Sequence, residues 1–149
     1  MKYSEGNIGR VFILRLEDGD KIPQTIEDFA LEKSINSGLV FFIGGADKGS
    51  KIIVGPKDGT AAKPISVMRE LHDASEAMGL GTIFLNEENV PKLHLHSTFG
   101  RCLETLTGCT REGVSIWKVC EIVILEILNI SALRRIEPQT GFELLEIDE

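Results

Sequence analysis

The stretch KLHLHSTFGR, residues 92–101, decides both the fold class and the candidate site of this chain. Apolar and polar residues alternate along it, which is the pattern of a β-strand with one buried face. In a strand, residues i and i+2 point to the same side and stand about 6.6 Å apart along the chain. His94 and His96 therefore project together from one face, while Leu93 and Leu95 point to the other.

Gly100 interrupts this alternation and indicates a turn. A hairpin that folds about residues 101–103 brings the chain near Cys109 opposite the two histidines. Neutral imidazole and thiolate both suit zinc, and three protein ligands leave its fourth position open. The pattern therefore predicts a metal site made of His94, His96 and Cys109, with zinc as the expected metal. The pattern also leaves open a pair of packed or hydrogen-bonded histidines beside a small buried cysteine.

The bulk composition limits the class of protein. The chain has 149 residues, 42% hydrophobic and 26% charged, which is ordinary for one globular domain spanning residues 1–149. No apolar run reaches the roughly 18 residues of a membrane helix, and MKYSEGNIGR lacks the apolar core of a signal peptide. Three cysteines make no disulfide framework. We therefore expect a soluble, cytoplasmic protein with no membrane partner.

The net charge of −7 argues against DNA as a partner, because duplex binding depends on Lys and Arg side chains that neutralise phosphates. The densest basic groups are Lys48 with Lys51 and Arg134 with Arg135, and both are predicted to be solvated surface. The stretch GGADKGSK, residues 44–51, lacks the residue order of a phosphate-binding P-loop. It is predicted to be a turn at the end of a strand.

The rest of the chain alternates short apolar segments with turns. Residues 25–37 are predicted to form a helix, in which Thr25 and Asp28 fit a capping box and Gly38 ends the helix. Strands are predicted at 10–17, 39–43, 51–55, 81–86, 92–98 and 114–128, and much of 102–109 alternates in the same way. A turn at 138–141 precedes a short terminal strand. Together these elements predict one compact α/β domain.

Residues 65–80 fit two structures equally well. The spacing of their apolar residues matches a helix, but two strand segments that turn near His72 and Asp73 match as well. Together with Glu76, these two residues are predicted to be a solvated turn rather than an acid/base group.

Two glutamates interrupt the apolar strand at 114–128. A buried carboxylate needs a partner, so Glu121 and Glu126 are each expected to pair with an arginine or to face a cleft. The candidate partners are Arg101, Arg134 and Arg135.

The chain resembles the plant and prokaryote conserved (PPC) domain family over nearly its whole length. The motifs that carry the likeness are RVFILRLEDGDKIPQTIEDFALEKSI, VFFIGGADKG, LHLHSTFGR, TGCTREGV, KVCEIVILEI and ALRRIEPQTGFELL. The resemblance implies a mixed, largely antiparallel β-sheet with one main helix, assembled as a homotrimer. The fold is also similar to acetolactate decarboxylase, a zinc enzyme with three histidine ligands. The resemblance to the PPC family further implies that residues 65–80 are strands around a turn.

One position departs from the family pattern. The turn after the histidine strand usually reads glycine-glycine-histidine in this family, whereas here it reads Thr107-Gly108-Cys109. Cysteine replaces histidine readily as a zinc ligand, so the resemblance implies that the site is preserved.

Three functional hypotheses follow from the residues and the resemblance. The first is a homotrimer that binds zinc through His94, His96 and Cys109 and can take a small-molecule ligand at the metal. The second is a metal-dependent enzyme on that site, with Glu121 or Glu76 as its acid/base group. The third is a DNA-binding or regulatory module like the plant relatives, although this chain lacks their AT-hook. Without a metal, the histidines would pack at a trimer interface.

Overall fold

The computed structural model describes residues 1–147 and consists mainly of β-strands, with one short helix. In chain order the elements are β1 (Asn7–Glu17), β2 (Lys21–Ile22), α1 (Gln24–Glu32), β3 (Ser37–Ala46), β4 (Lys51–Pro56), β5 (Ser66–Glu70), β6 (Ser75–Leu85), β7 (Pro91–Arg101), β8 (Glu104–Cys109), β9 (Val114–Leu128), β10 (Ala132–Ile136) and β11 (Glu143–Ile147). Within the described residues, no helix is long and apolar enough to cross a membrane.

Nine strands form one sheet, in the order β1-β9-β3-β6-β7-β8-β4-β5, with β2 paired to β9. The last two strands, β10 and β11, form a separate hairpin. Every named strand pair in the described part of the chain is antiparallel. An isolated parallel bridge between Asn86 and Arg134 ties this hairpin to the end of β6. The histidine strand β7 therefore lies inside the sheet, paired on both sides.

One face of the sheet forms the core of the structure. Along β7 the side chains of Leu93, Leu95 and Phe99 are buried on this face, as the alternating pattern predicts. The helix α1 contributes Ile26 and Ala30 to the same core cluster, and both are fully buried. Burial of these apolar side chains is the main stabilising term for the sheet–helix packing.

The opposite face carries exposed apolar side chains on three strands, β1, β3 and β6. This apolar face consists of Val11, Ile13, Phe41, Ile43, Met78 and Leu80. Cross-strand pairing places Phe41 opposite Leu80, and Leu80 is in turn opposite His96 on β7. The exposed fraction within this set ranges from 41% for Phe41 to 73% for Ile13. A contiguous exposed apolar surface of this kind is typical of a surface that binds another molecule.

The helix is shorter than the predicted range 25–37. It ends because Ser34 adopts a left-handed conformation, with φ of 52°. The amide of Ile35 then donates to the carbonyl of Ala30 at 2.8 Å, which closes the helix in a Schellman motif. The predicted cap by Thr25 is wrong too, since no side chain caps the first turn.

The ambiguous segment 65–80 forms two strands. Residues 66–70 are β5, residues 71–74 form the turn, and β6 begins at Ser75. The strand alternative, which the family resemblance favours, is therefore confirmed. The predicted strand at 114–128 matches β9.

Glu126 is buried in β9, and its partner differs from those predicted. The side chain of Arg10 donates to both carboxylate oxygens, at 2.6 Å from Nη2 and 2.8 Å from Nε. The backbone amide of Arg10 adds a third hydrogen bond at 3.0 Å. These hydrogen bonds lower the pKa of Glu126, although burial acts in the opposite direction. The predicted pairing with Arg101, Arg134 or Arg135 is therefore wrong.

Candidate metal centre

The β7–β8 hairpin positions the candidate ligands. A two-residue loop, Cys102-Leu103, joins the two strands, so the predicted turn about residues 101–103 is confirmed. The resulting register places Cys109 directly opposite His96. Directly opposed residues of an antiparallel pair share a face, so both side chains and His94 lie on the same side of the sheet.

The three candidate ligand atoms lie close together. The ring nitrogens of His94 and His96 and the sulfur of Cys109 are all within 4.8 Å of one another. The two Nε2 atoms are 3.1 Å apart. In a tetrahedral zinc site two imidazole nitrogens stand about 3.3 Å apart, and a nitrogen and a thiolate sulfur about 3.6 Å. The donor set and its spacing thus fit a zinc ion after a shift of about one ångström.

The distance between the two rings has a second interpretation. A separation of 3.1 Å also suits a hydrogen bond in which one neutral imidazole donates to the other. The rings meet edge to face, with an interplanar angle of 80°. This arrangement is the pair of packed, hydrogen-bonded histidines that the sequence also allows. Unlike the metal site, it gives Cys109 no role as a ligand.

A glycine brings β8 close to β4 beside the cysteine. A Cβ atom on Gly108 would lie 2.2 Å from the backbone oxygen of Ile53. Only glycine permits this approach without displacing backbone. The next residue, Cys109, pairs with Ile53 across the two strands and is buried. Gly108 therefore helps to fix where the thiol lies.

The two histidines and the cysteine open into a cleft of about 1020 Å³. One wall is formed by β4 and the loop that follows it, and another by residues 141–144 before and within β11. Among the described residues, its lining includes three cations and three carboxylates, which are Lys92, Arg111, Arg134, Glu27, Glu112 and Glu143. A concave site with apolar walls and a few convergent polar groups is typical of small-molecule binding.

Glu27 connects the helix to the histidine strand. Its Oε1 accepts a hydrogen bond from the amide of Leu93 at 2.9 Å, and its Oε2 accepts one from the side chain of Lys92 at 3.2 Å. Leu93 directly precedes His94, so this contact fixes the backbone next to the first candidate ligand. The sequence gives no signal for this role, because a single acid in an amphipathic helix is ordinarily solvated.

The prediction that Arg134 is solvated surface is wrong, since only 3% of this residue is exposed. Its Nη2 donates to the carbonyl and the hydroxyl of Thr82, at 3.0 and 2.9 Å. Its Nε donates to the carbonyl of Lys92 at 3.3 Å, and its guanidinium lies 5.5 Å from the ring centroid of Phe84. The β10–β11 hairpin packs against the end of β6, which carries this side chain into the cleft wall.

The charges around the cleft favour a neutral imidazole at His94. Burial lowers the pKa of His94, and the charges of Arg134, His96 and Arg111 lower it further. The neutral ring is the form that binds a metal ion. Arg111 is held at the rim, where its guanidinium lies 5.5 Å from the ring centroid of Phe142.

The two glutamates considered as acid/base groups lie outside this cleft. Glu121 is an exposed residue of β9, which is separated from β7 by β3 and β6. Glu76 precedes by four residues Leu80, the residue opposite His96, so it lies roughly 13 Å away along the strand. Neither residue lines the cleft.

The structure is similar to several solved structures. A metal-containing protein from Archaeoglobus fulgidus shares 26% identity at a TM-score of 0.81, over 97% of this chain and 98% of that one. A plant- and prokaryote-conserved protein from Pyrococcus horikoshii shares 20% identity at a TM-score of 0.84, over 100% and 99%. A candidate DNA-binding protein from Bacteroides thetaiotaomicron shares 21% identity at a TM-score of 0.77, over 97% of both chains.

No curated protein matches the chain at a significant level. The family model described as the Plants and Prokaryotes Conserved (PCC) domain matches residues 3–128, which end with β9. The matched region contains the β7–β8 hairpin and all three candidate ligands. The chain therefore belongs to the Plants and Prokaryotes Conserved domain family, the family that its sequence motifs resemble.

Proposed function

We propose that this protein is a metal-binding homotrimer of the PCC domain family, with zinc as the metal and His94, His96 and Cys109 as its ligands. The observation that carries the proposal is the cluster of their three ligand atoms within 4.8 Å. Among the common cations, zinc is well suited to a donor set of two imidazoles and one thiolate. The structural relative from Archaeoglobus fulgidus is described as metal-containing, which supports the same conclusion.

Three protein ligands leave one position on the metal open. A zinc ion held in this way keeps a fourth position for water or for an oxygen of a small-molecule ligand. The cleft of about 1020 Å³ gives such a ligand access to the site. We place the protein in a reducing compartment such as the cytoplasm, where Cys109 stays reduced and available as a ligand.

The apolar face supports self-association. Its exposed side chains are too many for an ordinary solvated sheet face, and burial against another subunit would stabilise them. Leu80 of this face is directly opposite His96, so the proposed subunit contact borders the proposed metal site. Because the chain resembles the PPC family, we propose that the assembly is a homotrimer.

Matched variants test the metal site. Elemental analysis of purified untagged protein should give one zinc per chain, and His94→Ala, His96→Ala and Cys109→Ser should each lose it. His72→Ala and Cys102→Ser are the controls, because both residues are exposed and lie outside the cluster. Retention of metal in both His94→Ala and His96→Ala contradicts the assignment. Absence of zinc after zinc is offered and excess removed leaves the packed histidines as the correct interpretation.

DNA binding is the weaker candidate for this chain. The structural relative from Bacteroides thetaiotaomicron is described as a DNA-binding candidate, but at 21% identity the likeness extends to the fold alone. The net charge of −7 opposes binding to a polyanion.

A further inference from the structure

Arg134 is a buried cation whose hydrogen-bond partners are all neutral. Its donors reach two backbone carbonyls and one hydroxyl. Within residues 1–147, no carboxylate lies within ion-pair distance of it, and its Nη1 donates no hydrogen bond. Burial lowers the pKa of Arg134, and the charges of Glu143 and Glu27, which lie beyond ion-pair distance, offset this only in part. A guanidinium of this kind in a cleft wall is suited to an anion that enters from outside.

The position of Arg134 relates this anion site to the proposed metal. The hydroxyl of Thr82 accepts a hydrogen bond from Nη2, and Thr82 is directly opposite His94 in the β6–β7 pair. The Cβ atoms of directly opposed residues stand about 4.5–5.5 Å apart. The guanidinium thus lies one cross-strand step from a proposed zinc ligand, and an anion on it would lie near His94.

The charges of the cleft favour a singly charged anion. Lys92 is already paired with Glu27, at 3.2 Å. The two other carboxylates of the lining, Glu112 and Glu143, are exposed and would repel a doubly charged ligand about twice as strongly as a singly charged one. Nη1 is the guanidinium nitrogen that remains for a ligand, and a charge-assisted hydrogen bond from it suits one oxygen of a single carboxylate group.

Another part of the cleft lining is apolar. Ile53 and Val54 of β4 face the cleft, and Phe142 and Leu144 line it from the segment that enters β11. The volume of about 1020 Å³ lies at the upper end of small-molecule sites, so it accommodates far more than a carboxylate group. The ligand therefore combines an anionic end with an apolar body.

We propose that the cleft binds a monocarboxylic acid with an apolar body, whose carboxylate is held by Arg134 beside the metal centre. This inference extends the proposed metal site by naming the class of its small-molecule ligand. The apolar body lies against the wall of β4 and the segment around Phe142. Arg111 supplies a second positive charge at the rim, which steers the acid towards the cleft.

Two isosteric probes test the proposal. Isothermal titration calorimetry compares benzoate with benzamide on zinc-loaded protein, and the zinc content of each sample is measured in parallel. We expect benzoate to bind at least about tenfold more tightly, because benzamide lacks the charge that the guanidinium pairs with. Arg134→Lys should weaken benzoate binding by roughly tenfold or more, since lysine has no second nitrogen that could bind the ligand while the first keeps the contacts with Thr82. Arg101→Lys, at an exposed ion pair outside the cleft, should leave it unchanged.

Three results would overturn the carboxylate site. These are equal binding of benzoate and benzamide, unchanged benzoate affinity in Arg134→Lys, and inorganic phosphate that binds more tightly than benzoate. If circular dichroism shows that Arg134→Lys does not fold, Thr82→Val carries the same test. It removes the hydroxyl that holds Nη2, so it should weaken benzoate binding several-fold, and unchanged affinity overturns the proposal.

The zinc measurement separates this proposal from the proposed function. A protein that holds zinc but does not bind benzoate contradicts the carboxylate site alone. A protein that binds benzoate through Arg134 without holding zinc contradicts the metal site and retains the carboxylate site.

Discussion

Replacing Gly108 by alanine tests whether the close approach of β8 and β4 positions the proposed cysteine ligand. The added Cβ would lie 2.2 Å from the backbone oxygen of Ile53, whereas ordinary contacts begin at 3.4 Å. The two backbones must therefore separate by about one ångström, because the atoms in the way include the backbone oxygen and carbonyl carbon of Ile53. Overpacking of this kind costs about 1–3 kcal/mol of unfolding free energy. For a chain of this size, each kcal/mol lowers Tm by roughly 2–4 °C.

The same displacement should weaken zinc binding. Cys109 follows Gly108 directly and forms the pair with Ile53 that joins β8 to β4. Changes that disturb the support of a metal ligand typically cost about tenfold to hundredfold in affinity. Competition with a chromophoric chelator measures the zinc Kd, and circular dichroism measures Tm. Gly100→Ala is the control, because a Cβ at that position of the same hairpin meets nothing within 4 Å. A Gly108→Ala protein with the Tm and zinc Kd of the wild type refutes this reasoning.

Further predictions concern stability, assembly and DNA binding. Glu126→Gln should lower the unfolding free energy at pH 7 by about 1–2 kcal/mol, since it removes the carboxylate that Arg10 binds; urea denaturation measures this, with the exposed Glu121→Gln as control. Because hydrogen bonds from Arg10 lower the folded-state pKa of Glu126, its stabilising contribution is present above the ordinary carboxyl pKa and is lost as the pH falls through the folded-state value. The difference between wild type and variant should thus shrink in acid, and a constant difference contradicts the assignment. Leu80→Asp should dissociate the proposed trimer in sedimentation analysis while Leu103→Asp at the exposed hairpin tip does not, and identical assembly of both variants contradicts a role for the apolar face. A/T-rich duplex DNA should not bind at physiological ionic strength, whereas a mobility shift with steep salt dependence would restore the DNA-binding hypothesis.

The candidate ligand set is predictable from sequence because each step is local. Alternation along β7 fixes which side chains share a face, and the glycine after it indicates where the chain turns. A short hairpin loop then sets the register that places Cys109 opposite His96.

The residues around the site are not predictable in this way. Arg134 is buried only because the β10–β11 hairpin packs against the sheet, and neither alternation nor local charge encodes that packing. Glu126 pairs with Arg10, which is 116 positions away in the chain. Electrostatic pairing over such separations depends on the strand order, which places β1 beside β9. From the sequence alone, an arginine close to Glu126 in the chain is as good a candidate partner as the distant Arg10.

The apolar face has a different cause. Strands such as β3 carry apolar residues on both sides, which is the pattern of a strand buried on both faces. Within the described chain only one of those faces is covered, and Phe41 and Ile43 remain exposed on the other. Sequence alone does not distinguish a face covered by the same chain from one covered by a second subunit.

In the proposed site, two imidazoles and one thiolate of this chain hold one zinc ion. X-ray absorption at the zinc edge of the loaded, untagged protein measures the identity and distance of the ligand atoms most directly. We predict one sulfur at about 2.3 Å, two imidazole nitrogens at about 2.0–2.1 Å and one further light atom. A ligand shell with no sulfur, or a protein that retains less than one zinc per chain after loading, would contradict the claim.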